Sequence, residues 1–179
     1  MDETDELLKT FNALLLIGEA ESGLDRSKLE WVDLSTRLAD VMELYEPAAD
    51  EAGLTLQAEI APGLGVRGNP NLISQAVVNL LDNALKYTPK GGTVRIEAGT
   101  DDGRCYVSVS DSGPGIPVDQ HERVLDRFVR LEGSRSTPGS GLGLALVAAV
   151  AKLHQADLTL GDNDPGLIVR IDFPKTNGR

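Results

Sequence analysis

The stretch Asn79-Leu-Leu-Asp-Asn83-Ala-Leu-Lys86-Tyr87-Thr88 holds the side chains best suited to chemistry. Gln75, Asn79, Asn83 and Lys86 recur every three or four residues, so on a helix they form one stripe. A carboxamide oxygen is a hard, neutral ligand that suits a Mg²⁺ ion already carrying phosphate oxygens and water. An ammonium beside it offsets phosphate charge. The same residues also read as a solvated helix face, with Asp82 and Lys86 as an i,i+4 ion pair.

Two further clusters point the same way. Asp111-Ser-Gly113-Pro-Gly115-Ile116-Pro117 follows a strand-like run. A carboxylate at a strand end can accept from an exocyclic amine such as adenine N6, and glycines let a flat ring approach the backbone. The competing reading is an Asx-type turn that closes a strand. Gly139-Ser140-Gly141-Leu142-Gly143 leads into an apolar helical run from Leu144. Glycines at a helix start expose N–H groups beside the positive end of the dipole, an anion site; a glycine hinge before a buried helix is the alternative. Arg127, Arg130 and Arg135 bracket the polar, glycine-rich segment 130–140, expected to be mobile and able to swing onto phosphates. Otherwise they are three solvated arginines. The G-x-G-x-x-G dinucleotide pattern fails, since leucine occupies its third glycine position and no strand precedes it directly. No G-x-x-x-x-G-K-[ST] loop occurs, and the Ser/Thr/Tyr protein-kinase motif set is absent.

The elements that must position these groups follow from periodicity and punctuation. Leu72, Ile73, Ala76, Val77, Leu80, Leu81, Ala84 and Leu85 give the apolar side of the asparagine helix, with Asn69 as cap and Pro70 at its first position. An earlier helix is capped by Asp33 or Ser35 and ends near Gly53, with Leu34, Leu38, Val41, Met42 and Tyr45 facing inward. Strands are expected at 54–60, in a short run after the 62–67 turn, at 93–100 and 104–110 as a hairpin through Asp101-Asp102-Gly103, and at 157–160 and 167–173. Helices are expected at 118–128 and 142–154. About five strands and three or four helices imply an α+β sandwich, with a mixed sheet and helices on one face. Residues 2–22 read as one acidic helix whose stripe of Leu7, Phe11, Leu14, Leu15 and Gly18 either packs with a neighbouring helix of another chain or docks on the domain.

Composition narrows the classes. The chain has 179 residues, 41% of them hydrophobic, enough for one domain and an appendage. A net charge of -11 argues against a nucleic-acid backbone as partner; a nucleotide must be held by a local cation cluster, backbone amides and a metal. The single cysteine, Cys105, excludes a disulfide framework and fits a buried, reduced thiol in the cytoplasm. His121 and His154 are too few for a histidine metal site. The acidic N-terminus is unlike a signal peptide, and no segment reaches the roughly 20 apolar residues of a membrane span.

The order Asn-x-x-x-Asn-x-x-Lys-Tyr, Asp-x-Gly-x-Gly, Asp126-Arg127-Phe128 and Gly-x-Gly-Leu-Gly-Leu-Ala resembles the catalytic, ATP-binding domain of two-component sensor histidine kinases. That domain belongs to the GHKL superfamily with type II topoisomerases, the mismatch-repair ATPase and a heat-shock chaperone. The resemblance implies the Bergerat two-layer α+β fold over residues 31–176, a linker at 24–30, and the end of a dimerisation and phosphoacceptor hairpin helix at 1–23. It implies ATP and Mg²⁺ as cofactors, Asn83 as metal ligand with Asn79 assisting, and Lys86 on phosphate. It sets Tyr87 beside the nucleotide, and Asp111, Gly113, Gly115 and Ile116 around the base. It assigns Arg130, Gly139, Ser140, Gly141, Leu142, Gly143 and Leu144 to the phosphate side and lid hinge, with Phe128 as lid anchor. Asn79, Lys86 and Arg127 are the expected catalytic set. In relatives with a catalytic Glu, that Glu falls where Asn79 stands; an amide is no general base, which fits transfer to a protein better than hydrolysis.

Three departures qualify the resemblance. No phosphoacceptor block is present, so the acceptor helix is missing from this chain or was never a histidine, and this piece is not expected to complete autophosphorylation by itself. His154-Gln155-Ala156 replaces the family's common His-Gly-Gly, and Leu167-Ile168 replaces a Ser or Thr early in the closing strand. The expected partners are ATP or ADP, the acceptor hairpin of the parent or its dimer mate, and a response regulator, with a homodimeric parent that in many relatives is a membrane receptor. A nucleotide-binding pseudokinase scaffold and an anti-sigma-type serine kinase are the alternatives.

Overall fold

The computed structural model describes residues 10, 11, 13–18, 29–131 and 140–175. In chain order these form a helical segment at the N-terminus (α1, seen at 10, 11 and 13–18), then β1 (Glu30–Asp33), α2 (Leu34–Ala52), β2 (Thr55–Ile60), β3 (Gly65–Gly68), α3 (Pro70–Tyr87), β4 (Thr93–Asp101), β5 (Arg104–Asp111), α4 (Gly143–Leu153), β6 (Asp157–Asp162) and β7 (Leu167–Asp172).

Local chemistry sets the ends of the two long helices. Asp33 caps α2 through Thr36 N–H at 3.0 Å, and Gly53 ends it at φ 69, a left-handed conformation that costs glycine little. Asn69 caps α3, its Oδ1 accepting from Asn71 and Leu72 N–H at 3.0 and 3.1 Å. Pro70 then starts α3 where no N–H bond is needed. The expected apolar stripe is the buried one: Leu72, Ile73, Ala76, Val77, Leu80, Leu81 and Ala84 are buried, and the partly buried Leu85 packs against them. Tyr45 on α2 donates its hydroxyl to Asp82 of α3 at 2.6 Å. That carboxylate therefore binds α2 to α3 rather than pairing along the helix with Lys86.

Five strands form one sheet in the order β2-β4-β5-β7-β6. β2 runs parallel to β4 and the other pairs are antiparallel, so the sheet is mixed, as expected. Asp102 and Gly103, at φ 46 and 73, form the two-residue turn of the β4–β5 hairpin. Val94, Ile96, Val107, Val109, Val169 and Ile171 point from the sheet into the same core as α2, α3 and α4, leaving the helices on one face.

Three expectations are corrected. Residues 118–128 are not one helix but two 3-10 turns, Val118–Gln120 and Arg123–Leu125. Asp126 is extended at ψ 151, and with Val118 and Phe128 73% and 59% exposed the buried Val124 is too small an apolar face to hold a continuous helix. Among the described residues the strand count rises to seven, because β1 pairs antiparallel with β3 as a separate ribbon. In α1 the buried residue is Ile17, which joins the core of the domain with Ala13, Leu14 and Leu16 packed against it, while Phe11 and Leu15 are exposed. Leu7 and Arg135, Gly139 and most of the 130–140 segment lie outside the described residues.

Candidate functional site

Helix α3 carries one end of the site. Asn79 and Asn83 are both half-buried, one turn apart on the side facing the start of α4. Asn79 donates its amide nitrogen to Gln75 O at 2.8 Å, which fixes the rotamer and turns Oδ1 toward α4. A side chain added at Gly143 would begin 3.4 Å from Asn79 Oδ1 and 3.2 Å from Asn83 Nδ2. The first residue of α4 therefore abuts both carboxamides, and its lack of Cβ keeps the space between them open.

The N-terminus of α4 differs from those of α2 and α3. Leu142 precedes it with no side-chain cap. The first intrahelical bond is Leu146 N–H to Leu142 O at 2.9 Å, so the N–H groups ahead of it have no intrahelical partner. Neutral carboxamide oxygens, uncapped N–H groups and a helix dipole together suit a polyphosphate with its divalent cation. Gly141, at φ 72, makes the turn into the helix; a Cβ there would meet Phe128 and Val129 backbone at 2.9 Å. Phe128 N–H donates to Gly141 O at 3.0 Å, closing the two ends of the intervening loop. Phe128 was expected to anchor that loop through its ring, but the ring is exposed and the backbone, at φ 63, makes the tie. Arg127 is exposed and Arg130 half-buried, with the Arg130 stem against Gly141. Ser140 and Leu144 are half-buried on either side of the fully buried Leu142. Lys86 is exposed at the end of α3 with its ammonium 4.7 Å from the centre of the Tyr87 ring, a cation–π contact that holds the charge at the site's margin.

Asp111 forms the other end. It ends β5, 8% exposed. Its Oδ1 accepts from Gly113 N–H at 2.8 Å and from Leu167 N–H at 3.4 Å. Both bonds fall on one oxygen, so Oδ2 remains to accept from a ligand. Burial pushes the carboxyl above its usual pKa, and the two backbone N–H groups pull it back. Gly113 lies against the Tyr87 carbonyl, with a Cβ position 2.9 Å from it, so the end of α3 and the Asp111 loop meet. Gly115, at φ 70, would drive a Cβ to 2.8 Å from Gly166 O. Ile116 is half-buried beside it, its carbonyl held by His121 Nε2 at 2.9 Å. The structure thus brings Asn79, Asn83, Tyr87, Asp111, Gly113 and Gly143 together along the second half of α3.

Sequence reasoning placed a turn between β6 and β7 but missed its part in the site. Asn163 Nδ2 donates to the Asp111 carbonyl at 2.7 Å, and Gly166 passes so close that any Cβ would overlap that carbonyl. A Gly/Asn/Asp/Pro turn was the only local signal. A groove of about 300 Å³ lined by Arg95, Glu97, Ser110 and Asn163 lies on the helix-free face of the sheet, behind Asp111, and holds none of the expected site residues. Among the described residues no cluster of three or more His, Cys, Asp or Glu side chains could hold a metal, and no helix is long and apolar enough to cross a membrane. Cys105 is a free, partly buried thiol, Sγ 3.5 Å from Gly65 O.

Comparisons with known proteins bear on the family and the fold. Residues 68–177 match the family described as histidine kinase-, DNA gyrase B-, and HSP90-like ATPase. The chain is 32% identical over 167 residues to the sensor histidine kinase TmoS of Ectopseudomonas mendocina, covering 87% of this chain and 17% of that protein. The solved mycobacterial sensor histidine kinase MprB superposes with a TM-score of 0.73 at 32% identity, over 82% of this chain and 97% of that one. Full-length ShkA in complex with AMPPNP gives a TM-score of 0.83 at 28% identity, over 97% of this chain and 37% of that one. The chain spans less than half the length of the curated relatives it matches.

Proposed function

This chain belongs to the histidine kinase-, DNA gyrase B- and HSP90-like ATPase family, in the branch of the sensor histidine kinases, and from that premise we propose that it binds ATP and donates the γ-phosphoryl to a histidine on a helical hairpin. Residues 31–176 would be the catalytic domain, and α1 the end of the hairpin helix. The phosphorylated hairpin would then serve a response regulator, in a homodimeric parent.

One observation carries the reading. The uncapped start of α4 faces Asn79 and Asn83, while Asp111, with one oxygen open, meets the end of the same α3 at Tyr87. Asn79 to Tyr87 spans about 12 Å of helix at 1.5 Å per residue, which sets a phosphate site and a base site on one element.

At the base end, Asp111 Oδ2 accepts from the adenine amino group, and Gly113 and Gly115 admit the ring edge. At the phosphate end, the α4 N–H groups bind the terminal oxygens. Lys86, Arg127 and Arg130 would supply charge to the phosphates, with the Arg130 stem already against Gly141. The Asn83 and Asn79 oxygens would hold Mg²⁺, which when bound neutralises phosphate charge. Phosphoryl transfer asks mainly for positioning and charge stabilisation. No carboxylate stands where a water-activating base would be needed, since the position is Asn79, so the acceptor must bring its own nucleophile.

The test is calorimetry with a non-hydrolysable ATP analogue, with and without Mg²⁺, followed by transfer of radiolabel to an added histidine-bearing hairpin. Binding that Mg²⁺ strengthens, and an acid-labile phosphoprotein, are expected. Asn83→Ala should abolish the transfer. An acid-stable product would make the acceptor a serine, and binding without transfer would mark a nucleotide-binding scaffold. Absence of binding would overturn the reading.

A further inference from the structure

His154 ends α4 and is 3% exposed, far from the nucleotide contacts proposed above. Its two ring nitrogens have opposite tasks. Nε2 faces the main-chain N–H of Asn69 at 2.9 Å, and an N–H only donates, so Nε2 must be bare. Nδ1 faces Val150 O at 2.7 Å, and a carbonyl only accepts, so Nδ1 must carry the hydrogen. The contacts permit one form alone, the neutral Nδ1–H tautomer. Gly68 leaves room for the ring, since a Cβ there would meet Nε2 at 2.9 Å, and Phe173 meets it edge-on at 6.2 Å between centroids.

That bond pairs two helix ends. Asn69 caps the start of α3 and His154 closes the end of α4, while Gly143 at the start of α4 abuts Asn79 and Asn83 in the second half of α3. The helices are antiparallel, fastened at one end by His154 and open at the other toward the phosphate site. We propose that His154 is a positioning residue for that phosphate site, a proton-gated clamp on α3 and α4 whose protonation weakens nucleotide binding. The proposal rests on the ATP-binding reading.

Protonation would place an N–H at Nε2 against the Asn69 N–H and leave both donors buried without acceptors. Among the described residues no charged side chain compensates. On α4 Lys152 is exposed; on β3 Arg67 is turned to Leu29 O at 2.8 Å. Asp157 of β6 pairs with Arg104 of β5, and Asp172 of β7 with Arg170. The first turn of α3 has no acidic residue. Burial accordingly holds the imidazole below its ordinary pKa, with only the Val150 carbonyl opposing.

Long-range ¹H–¹⁵N spectra of the domain read the tautomer and titration of His154, with and without the ATP analogue. Calorimetry reads affinity at pH 7.5 and 5.5 for wild type and His154→Gln, whose amide can accept from Asn69 and takes up no proton. The expected results are an Nδ1–H tautomer, a His154 titration that moves to lower pH when nucleotide binds, and a wild-type to variant affinity ratio that falls about fivefold or more on acidification, the low end of coupled sites. Titration of the ligand phosphates and of Asp111 is common to both proteins and cancels in the ratio. An Nε2–H tautomer, or a ratio constant with pH, would overturn the clamp. Should His154→Gln not fold, the wild-type titration decides: linkage requires it to move on binding, and an unmoved midpoint overturns the proposal. Absence of binding by folded wild type at either pH would overturn the ATP reading and this proposal with it, whereas binding without the pH difference overturns this proposal alone.

Discussion

Asn163 reaches from the β6–β7 turn to the main-chain carbonyl of Asp111, 2.7 Å away, and so orients the residue proposed to read adenine without touching its carboxylate. The same turn is closed by Asn163 N–H to Gly166 O at 3.0 Å and supplies Leu167 N–H to Asp111 Oδ1. At the closing strand, where relatives commonly hold a Ser or Thr, this chain offers a backbone N–H, and the neighbouring asparagine braces the strand end.

Asn163→Ala removes one hydrogen bond and should lower stability by about 1 kcal/mol. It should also weaken binding of the ATP analogue, because Asp111 Oδ2 loses its fixed direction. Urea denaturation and calorimetry measure the two effects separately. A loss of stability with unchanged affinity would reduce Asn163 to a turn residue.

Asp111 itself is kept at a cost to the fold. Its pKa is raised in the folded state, so the folded protein binds this proton more tightly than the unfolded chain does. The stabilisation is present below the unfolded pKa near 3.9 and is lost as pH rises through the folded value. At neutral pH the ionised, buried carboxylate is therefore destabilising. Asp111→Asn should raise the melting temperature at pH 7.5, with the gain shrinking toward pH 4, while affinity for the ATP analogue falls by about 1–3 kcal/mol for the lost partner. Melting curves across this range check the sign, and a gain that grew on acidification would contradict it.

Much of the fold around the candidate site was legible because its signals are local. The cap Asn69, the α3 stripe and the strand-end position of Asp111 each sit within one or two turns of chain. What escaped notice depends on distant partners: Asn163 lies 52 residues from Asp111, and His154 lies 85 from Asn69. β1 has four residues with only Val32 buried, too few to show alternation, and becomes a strand through pairing with β3. Residues 118–128 mimic helical spacing, but Pro117 and the extended Asp126 confine each turn to three residues. Ile17 was missed because the stripe read from α1 followed the exposed Phe11 and Leu15.

Gln155 shows a departure from the family with a physical consequence. It follows His154 at φ 53, in the left-handed region where relatives commonly place glycine, and its N–H donates to Lys152 O at 3.1 Å. A non-glycine residue there is strained. Gln155→Gly should relieve that strain, partly offset by the added freedom of the unfolded chain, for a net gain of about 0.5–1 kcal/mol. The side chain is exposed, so nucleotide affinity should not change. Denaturant midpoints test this, and a lower midpoint would mean that the glutamine side chain contributes to the turn.

Gly143 offers a way to test the proposed metal ligands apart from the rest of the candidate site. An alanine methyl there would contact Asn83 Nδ2 at 3.2 Å and Asn79 Oδ1 at 3.4 Å, close enough that the carboxamides must give by a few tenths of an ångström. Gly143 lies on α4, where alanine is the better helix former, so Gly143→Ala should leave the fold at least as stable. Displaced ligand oxygens bind a cation less well, and disturbing the surroundings of a metal ligand typically costs about 10–100-fold in metal affinity. The expected outcome is a loss of about tenfold or more in affinity for the ATP analogue with Mg²⁺, and a much smaller loss in EDTA, where base and N–H contacts alone hold it. Equal losses in the two conditions would assign the effect to crowding of the phosphates and remove Asn79 and Asn83 as metal ligands.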